Sequence, residues 1–89
     1  MTITAELSLY PLKDTYEPSI IAFIKQLRSN EKVSVDTHAM STFVKGEQRH
    51  VFDAIDSAMN VINKNNTYSL VIKIINRDLP VGKGFLKLD

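Results

Sequence analysis

From Ile3 to Tyr10 the chain alternates with a period of two: Ile3, Ala5, Leu7 and Leu9 point one way, Thr4, Glu6, Ser8 and Tyr10 the other. That period belongs to a β-strand with one face on a core, and it excludes a helix for the start of the chain. The second face carries a carboxylate, a hydroxyl and a phenol in succession. It reads either as an ordinary solvated strand face or as the lining of a polar binding site.

The rest of the chain supplies five more elements. Pro11 lacks a ladder donor and is expected to stop the first strand. Asp14 and Thr15 are candidate helix caps, with Pro18 near the first turn. Ile20, Ile21, Phe23, Ile24 and Leu27 then recur at helical spacing, which predicts a helix to about Ser29 with Asn30 as its stop. Val33 and Val35 alternate against Ser34 and Asp36, so Lys32–His38 is expected to be the second strand. Ala39 to Ser41 is small enough for a hairpin bend. Thr42–Lys45 is expected to be the third strand, ended by Gly46 in a turn. Val51, Phe52, Ile55, Ala58, Met59 and Ile62 form the apolar stripe of a second helix over Gln48–Asn63, with Glu47 and Gln48 favouring its dipole or cap. Tyr68–Ile75, Y-S-L-V-I-K-I-I, is β-branched and reads as the fourth strand.

The order βαββαβ predicts an α+β ferredoxin-like sandwich, a four-stranded antiparallel sheet with two helices on one face. Right-handed crossovers put strands one and three in the middle. The other face of the sheet then has no layer of its own, and Val71 stands on it between Ser69 and Lys73. An oligomer formed through that face, a homodimer or homotetramer, is therefore expected. One domain is expected over 1–78. Residues 79–89 form a tail, whose Phe85, Leu86 and Leu88 are expected to pack on a neighbouring subunit or across a sheet edge.

Composition narrows the function. The 89 residues have an apolar fraction of 44%, enough for one core, and a formal net charge of +1, which gives no case for nucleic acid or an anionic membrane as partner. RNA-binding domains of this topology need exposed aromatics on both central strands, where Phe43 and Tyr10 alone are candidates here. With no cysteine there is no disulfide or thiolate chemistry. Neither a signal peptide nor a membrane span is visible, so a cytoplasmic protein is expected. His38 and His50 lie on different elements without ligand-spaced partners and read as ordinary histidines. Asp53 and Asp56 read as a solvated helix face. Gly82-Lys83-Gly84 lacks the spacing of a phosphate loop. No metal, cofactor, nucleophile or acid–base pair is expected, and hence no enzyme.

A-E-L-S-L-Y-P-L at Ala5–Leu12, A-M-S-T-F-V-K-G-E at Ala39–Glu47, V-F-D-A-I at Val51–Ile55 and I-K-I-I-N-R at Ile72–Arg77 resemble the thiamine-binding YkoF-like family. The resemblance spans most of Thr2 to Arg77. It implies ferredoxin-like domains that associate through their sheets, some of which bind thiamine or its hydroxymethylpyrimidine part. Carried over position by position, it makes Glu6, Ser8, Tyr10 and Thr42 the ligand-binding candidates. His38, Ala39 and Ser41 depart from the glycine, proline and glycine expected there. An aminopyrimidine suits these residues: Glu6 can accept from its amine, Ser8 or Thr42 can pair with a ring nitrogen, and Tyr10 can cover a flat ring. The alternative is a non-catalytic assembly or regulatory module whose sheet face is only an oligomer interface.

Overall fold

In a computed structural model, which describes residues 1–12, 17–64 and 66–80, the opening alternation becomes a ten-residue strand, β1 (Thr2–Pro11). It is followed by α1 (Glu17–Arg28), β2 (Val33–Thr37), β3 (Thr42–Glu47), α2 (Gln48–Asn63) and β4 (Tyr68–Ile75). The strands form one antiparallel sheet in the order β2-β3-β1-β4. This is the ferredoxin-like βαββαβ sandwich, with β1 and β3 central as the right-handed crossovers require. The proposed caps Asp14 and Thr15 and the tail beyond Pro80 lie outside the described residues.

The core is the helix-side face of β1 and β3 packed on both helices. Ile3, Ala5, Leu7, Phe23, Leu27, Val44, Val51, Ala54, Ile55, Ala58 and Ile62 are buried together. Two positions of the helical stripes differ from the sequence reading. Phe52 is exposed, and Ala54 takes an inward place beside Val51, Ile55, Ala58 and Ile62. Those five recur at three- and four-residue steps, and Phe52 falls off their line at the flank. Ile21 is likewise outside the buried set. Ser19 is buried instead, and its hydroxyl donates to Asn66 Oδ1 at 2.7 Å, pinning the start of α1 to the turn before β4.

Gly46 does not end the third strand. It pairs with Ile3 on one side and Val33 on the other, inside β3. A Cβ there would meet the Lys32 carbonyl oxygen at 3.0 Å and Val33 Cγ1 at 3.2 Å. The glycine is needed for close approach of the edge strand rather than for a turn. Glu47 occupies the N-cap position of α2 without a side-chain capping bond. Its carboxylate accepts instead from the Met1 amino group at 2.7 Å, while the Met1 carbonyl accepts from the Gln48 amide. The start of α2 is thus capped by the start of β1.

The open sheet face is not bare. After β4 the chain crosses it from β4 over β1 to β3. Thr4 Oγ1 donates to the Arg77 carbonyl at 2.8 Å and accepts from the Leu79 amide at 3.1 Å. Lys45 Nζ donates to the Leu79 carbonyl at 2.9 Å and pairs with Asp78 at 2.9 Å. This crossing leaves Thr4 3% exposed, although it stands on the face predicted to have no layer.

Candidate functional site

Cross-strand partners share a face of the sheet, so the register sorts the candidate residues. Glu6 lies opposite Phe43 on β3 and Lys73 on β4, and Phe43 lies opposite Asp36 on β2. Asp36, Phe43, Glu6 and Lys73 therefore form one row across the open face. Leu7 lies opposite Thr42, which lies opposite Thr37. That row faces the helices. Thr42 is therefore not beside Glu6: the two are on opposite faces.

On the helix side a hollow of about 140 Å³ opens between α1 and the β2–β3 hairpin. Leu7 and Leu9 form its floor, Ile20, Phe23 and Ile24 one wall, and Thr37 to Thr42 the other. Its apolar walls come from the inward positions of β1 and α1, which the spacing of those segments dictates. Its polar side chains on this face are Thr37 and Thr42. Thr42 is buried, and its hydroxyl donates to Thr37 Oγ1 over a long 3.4 Å. So long a bond is weak, and a ligand atom can compete for it. Ser8 also borders the hollow.

On the open face a second hollow of about 190 Å³ is lined by Thr4, Glu6, Phe43, Lys73, Ile75 and Leu79. Glu6 is half-buried there with both oxygens engaged. Oε2 accepts from the Ser41 hydroxyl at 2.9 Å, and Oε1 pairs with Lys73 Nζ at 3.3 Å. The Ser41 bond, followed by the Lys73 bond and charge, holds the Glu6 carboxyl below the ordinary carboxylate range. Tyr10 stands at the end of the face opposite Ser69, 55% exposed, and lines neither hollow. His38 Nε2 lies 3.2 Å from Asp36 Oδ2, and its ring meets Phe43 edge-on at 5.3 Å. Among the described residues no three histidine or carboxylate side chains are placed to hold a metal ion, and no helix is long and apolar enough to cross a membrane.

The structure thus divides the four candidates. Glu6 borders one hollow, Ser8 and Thr42 the other, and Tyr10 neither. Thr37 joins the set unannounced by its sequence motif, although its alternation with Val33 and Val35 places it on the inner face. Ser41 stands out in the sequence only as a departure from the glycine expected there; its bond to Glu6 is not legible, because the two are 35 residues apart.

The ferredoxin-like fold thus carries a small, mainly apolar hollow between α1 and the β2–β3 hairpin, with Thr37 and Thr42 as its hydroxyls. The family model of the YKOF-related family matches residues 2–75, and the chain belongs to that family. No curated protein matches it significantly. Solved structures share its fold. A candidate thiamine biosynthesis/salvage protein of Thermotoga maritima is 15% identical with a TM-score of 0.76, the match covering 86% of this chain and 85% of that one. A hypothetical protein of Methanocaldococcus jannascii is 23% identical with a TM-score of 0.72, over 96% of this chain and 87% of the other. A domain of unknown function from Bacillus cereus is also 23% identical with a TM-score of 0.72, over 86% and 77%.

Proposed function

We propose that this chain binds a small molecule without turning it over, and that the ligand is thiamine or its hydroxymethylpyrimidine part. Family membership and the Thermotoga maritima neighbour support the ligand class. The observation that carries the reading is the helix-side hollow, whose apolar walls end at the Thr37–Thr42 hydroxyl pair. A pyrimidine ring is flat and apolar on its faces and polar at its edge. The leucines, isoleucines and Phe23 suit the faces. The threonine hydroxyls suit the edge, one donating to a ring nitrogen and one accepting from the exocyclic amine. Hydroxyls of this kind orient a ligand but supply no acid–base pair, which is why binding without turnover is the reading.

In this arrangement Thr42 stays a ligand candidate, while Ser8, paired with Val71, turns its hydroxyl to the open face and offers the hollow only its backbone. Glu6 takes a different part from the one its motif implied. Its bond to Ser41 holds the hairpin that forms one wall, and it acts on the ligand through that wall. Isothermal titration with thiamine and with hydroxymethylpyrimidine tests the reading. Wild type is expected to bind at least one of them. Thr42→Val, which keeps the shape and removes the hydroxyl, is expected to weaken binding about tenfold. No binding of either compound by the folded protein would overturn the function. Binding that ignores Thr42→Val but is abolished by Glu6→Gln would move the site to the open face.

A further inference from the structure

We propose that the open-face hollow is a ligand site in its own right, and that it takes a free α-amino acid with an aliphatic side chain. It lies on the opposite face of the sheet from the helix-side hollow, and the proposal does not rest on the function given above.

Four parts of the chain build this hollow. Thr4 and Glu6 of β1 form its floor. Phe43 of β3 stands on one side, and Lys73 and Ile75 of β4 stand on the other. Leu79 closes the end above Thr4, brought there by the crossing segment, whose Leu79 amide donates to Thr4 Oγ1 at 3.1 Å. The strand spacing then gives the hollow two unlike ends. Thr4 and Ile75 are paired at the Leu79 end, which is apolar. Glu6 and Lys73 are paired two residues further along, about 7 Å away, and that end is charged.

Few polar side chains here are free to take a new partner. The Thr4 hydroxyl already donates to and accepts from the crossing segment. The Lys45 amine is held by the Leu79 carbonyl and Asp78. Beyond Phe43, His38 and Asp36 pair with each other. Glu6 Oε1 and Lys73 Nζ differ from these. They are 3.3 Å apart, and the lysine side chain is 80% exposed. An ion pair so open to water is weakly held and exchanges partners readily. Glu6 is fixed more firmly, because Ser41 donates to its other oxygen at 2.9 Å. That bond, followed by Lys73, holds the carboxyl below the ordinary range, so Glu6 is an anion at neutral pH.

Two opposite charges side by side select the ligand. An amine alone would meet Glu6 but face the Lys73 ammonium. A carboxylate alone would meet Lys73 but face Glu6. A zwitterion suits both: its ammonium donates to Glu6 Oε1 and its carboxylate accepts from Lys73 Nζ, two charge-assisted bonds in place of one. In an α-amino acid the two groups share one carbon, so they are set as closely as the pair they separate. The side chain then runs along β1 toward Ile75 and Leu79 with Phe43 beside it, and its burial favours binding. At about 190 Å³ the hollow suits a molecule of this size.

Amide NMR of the full chain, titrated with L-leucine to about 50 mM, well past weak millimolar binding, tests this. Saturable shifts are expected at Glu6, Lys73 and Leu79. Isoamylamine lacks the carboxylate, isocaproate lacks the ammonium and glycine lacks the side chain. Each is expected to bind at least about tenfold more weakly than leucine. Lys73→Gln and Glu6→Gln are each expected to weaken leucine about tenfold, with circular dichroism confirming the fold. Glutamine at position 6 keeps an oxygen for Ser41. Thr42→Val, on the other face, is expected to leave leucine binding unchanged. No saturable shift with leucine would overturn the proposal. So would isoamylamine or isocaproate binding as tightly as leucine, since the site would then read a single charge. A leucine response that survives both Lys73→Gln and Glu6→Gln would overturn it as well. One that is lost in Thr42→Val would do the same, because the amino acid would then sit in the helix-side hollow.

Discussion

The Ser41 hydroxyl donates to Glu6 Oε2 at 2.9 Å, tying the end of the β2–β3 hairpin to the central strand β1. This bond is the largest reason the Glu6 carboxyl titrates low, with Lys73 second. A carboxylate whose folded pKa is depressed stabilises the fold fully above its unfolded value, about 4.3 for glutamate. That contribution fades as pH falls through the lower folded value. Ser41→Ala is expected to raise the Glu6 pKa toward the ordinary range and to shrink this acid-side loss. A carbon-13 titration of the Glu6 carboxyl reads the first effect, and urea midpoints from about pH 6 to pH 3 read the second.

Thr4 supplies both a donor and an acceptor to the crossing chain at residues 77–79 and is almost fully buried. Thr4→Val keeps the shape and strands the Arg77 carbonyl and the Leu79 amide. A loss of about 1–3 kcal/mol is expected in urea unfolding. The Leu79 amide is expected to lose its hydrogen-exchange protection even under conditions where the core keeps its own.

Phe23 is 2% exposed and belongs to the core as well as to the wall of the helix-side hollow. Phe23→Ala is expected to cost about 3–5 kcal/mol. Domains have only about 5–15 kcal/mol in all. The variant is expected to be at the edge of unfolding at room temperature, as a urea curve will show.

Gly46→Ala is expected to destabilise the chain by about 1–3 kcal/mol, although alanine is ordinarily tolerated in a strand. The new methyl group would press on the Lys32 carbonyl oxygen and Val33. Backbone can yield only by pulling β2 away from β3. A lowered melting temperature, with exchange quickened in β2 before β4, checks both the size and the cause.

Much of this architecture is legible in local spacing. The alternation at Ile3–Leu9 and the three- and four-residue steps of Val51, Ile55, Ala58 and Ile62 name the elements and most of the core, because periodicity depends only on neighbouring residues. Phe52 was misplaced for the same reason: it lies beside the stripe, and only the packing of α2 shows that Ala54 faces inward. Gly46 looked like a strand end because glycine serves both turns and close contacts, and the contact is with residues on another strand. Thr42 shares its inward phase with Val44, so its separation from Glu6 was readable in the alternation of its own strand, even though the family motif groups the two together.

The sequence by itself determined the order of elements, the helix-covered face of the sheet and the family, since each is written in short-range pattern and motif. Only the tertiary structure decided how the polar residues are shared out. Register places Thr42 opposite Leu7 and Phe43 opposite Glu6. The Ser41 hydroxyl finds a carboxylate 35 residues away, and Thr4 receives a chain segment 75 residues away. Those pairings come from the closing of the sheet, in which long-range hydrogen bonds choose partners that no local pattern can name.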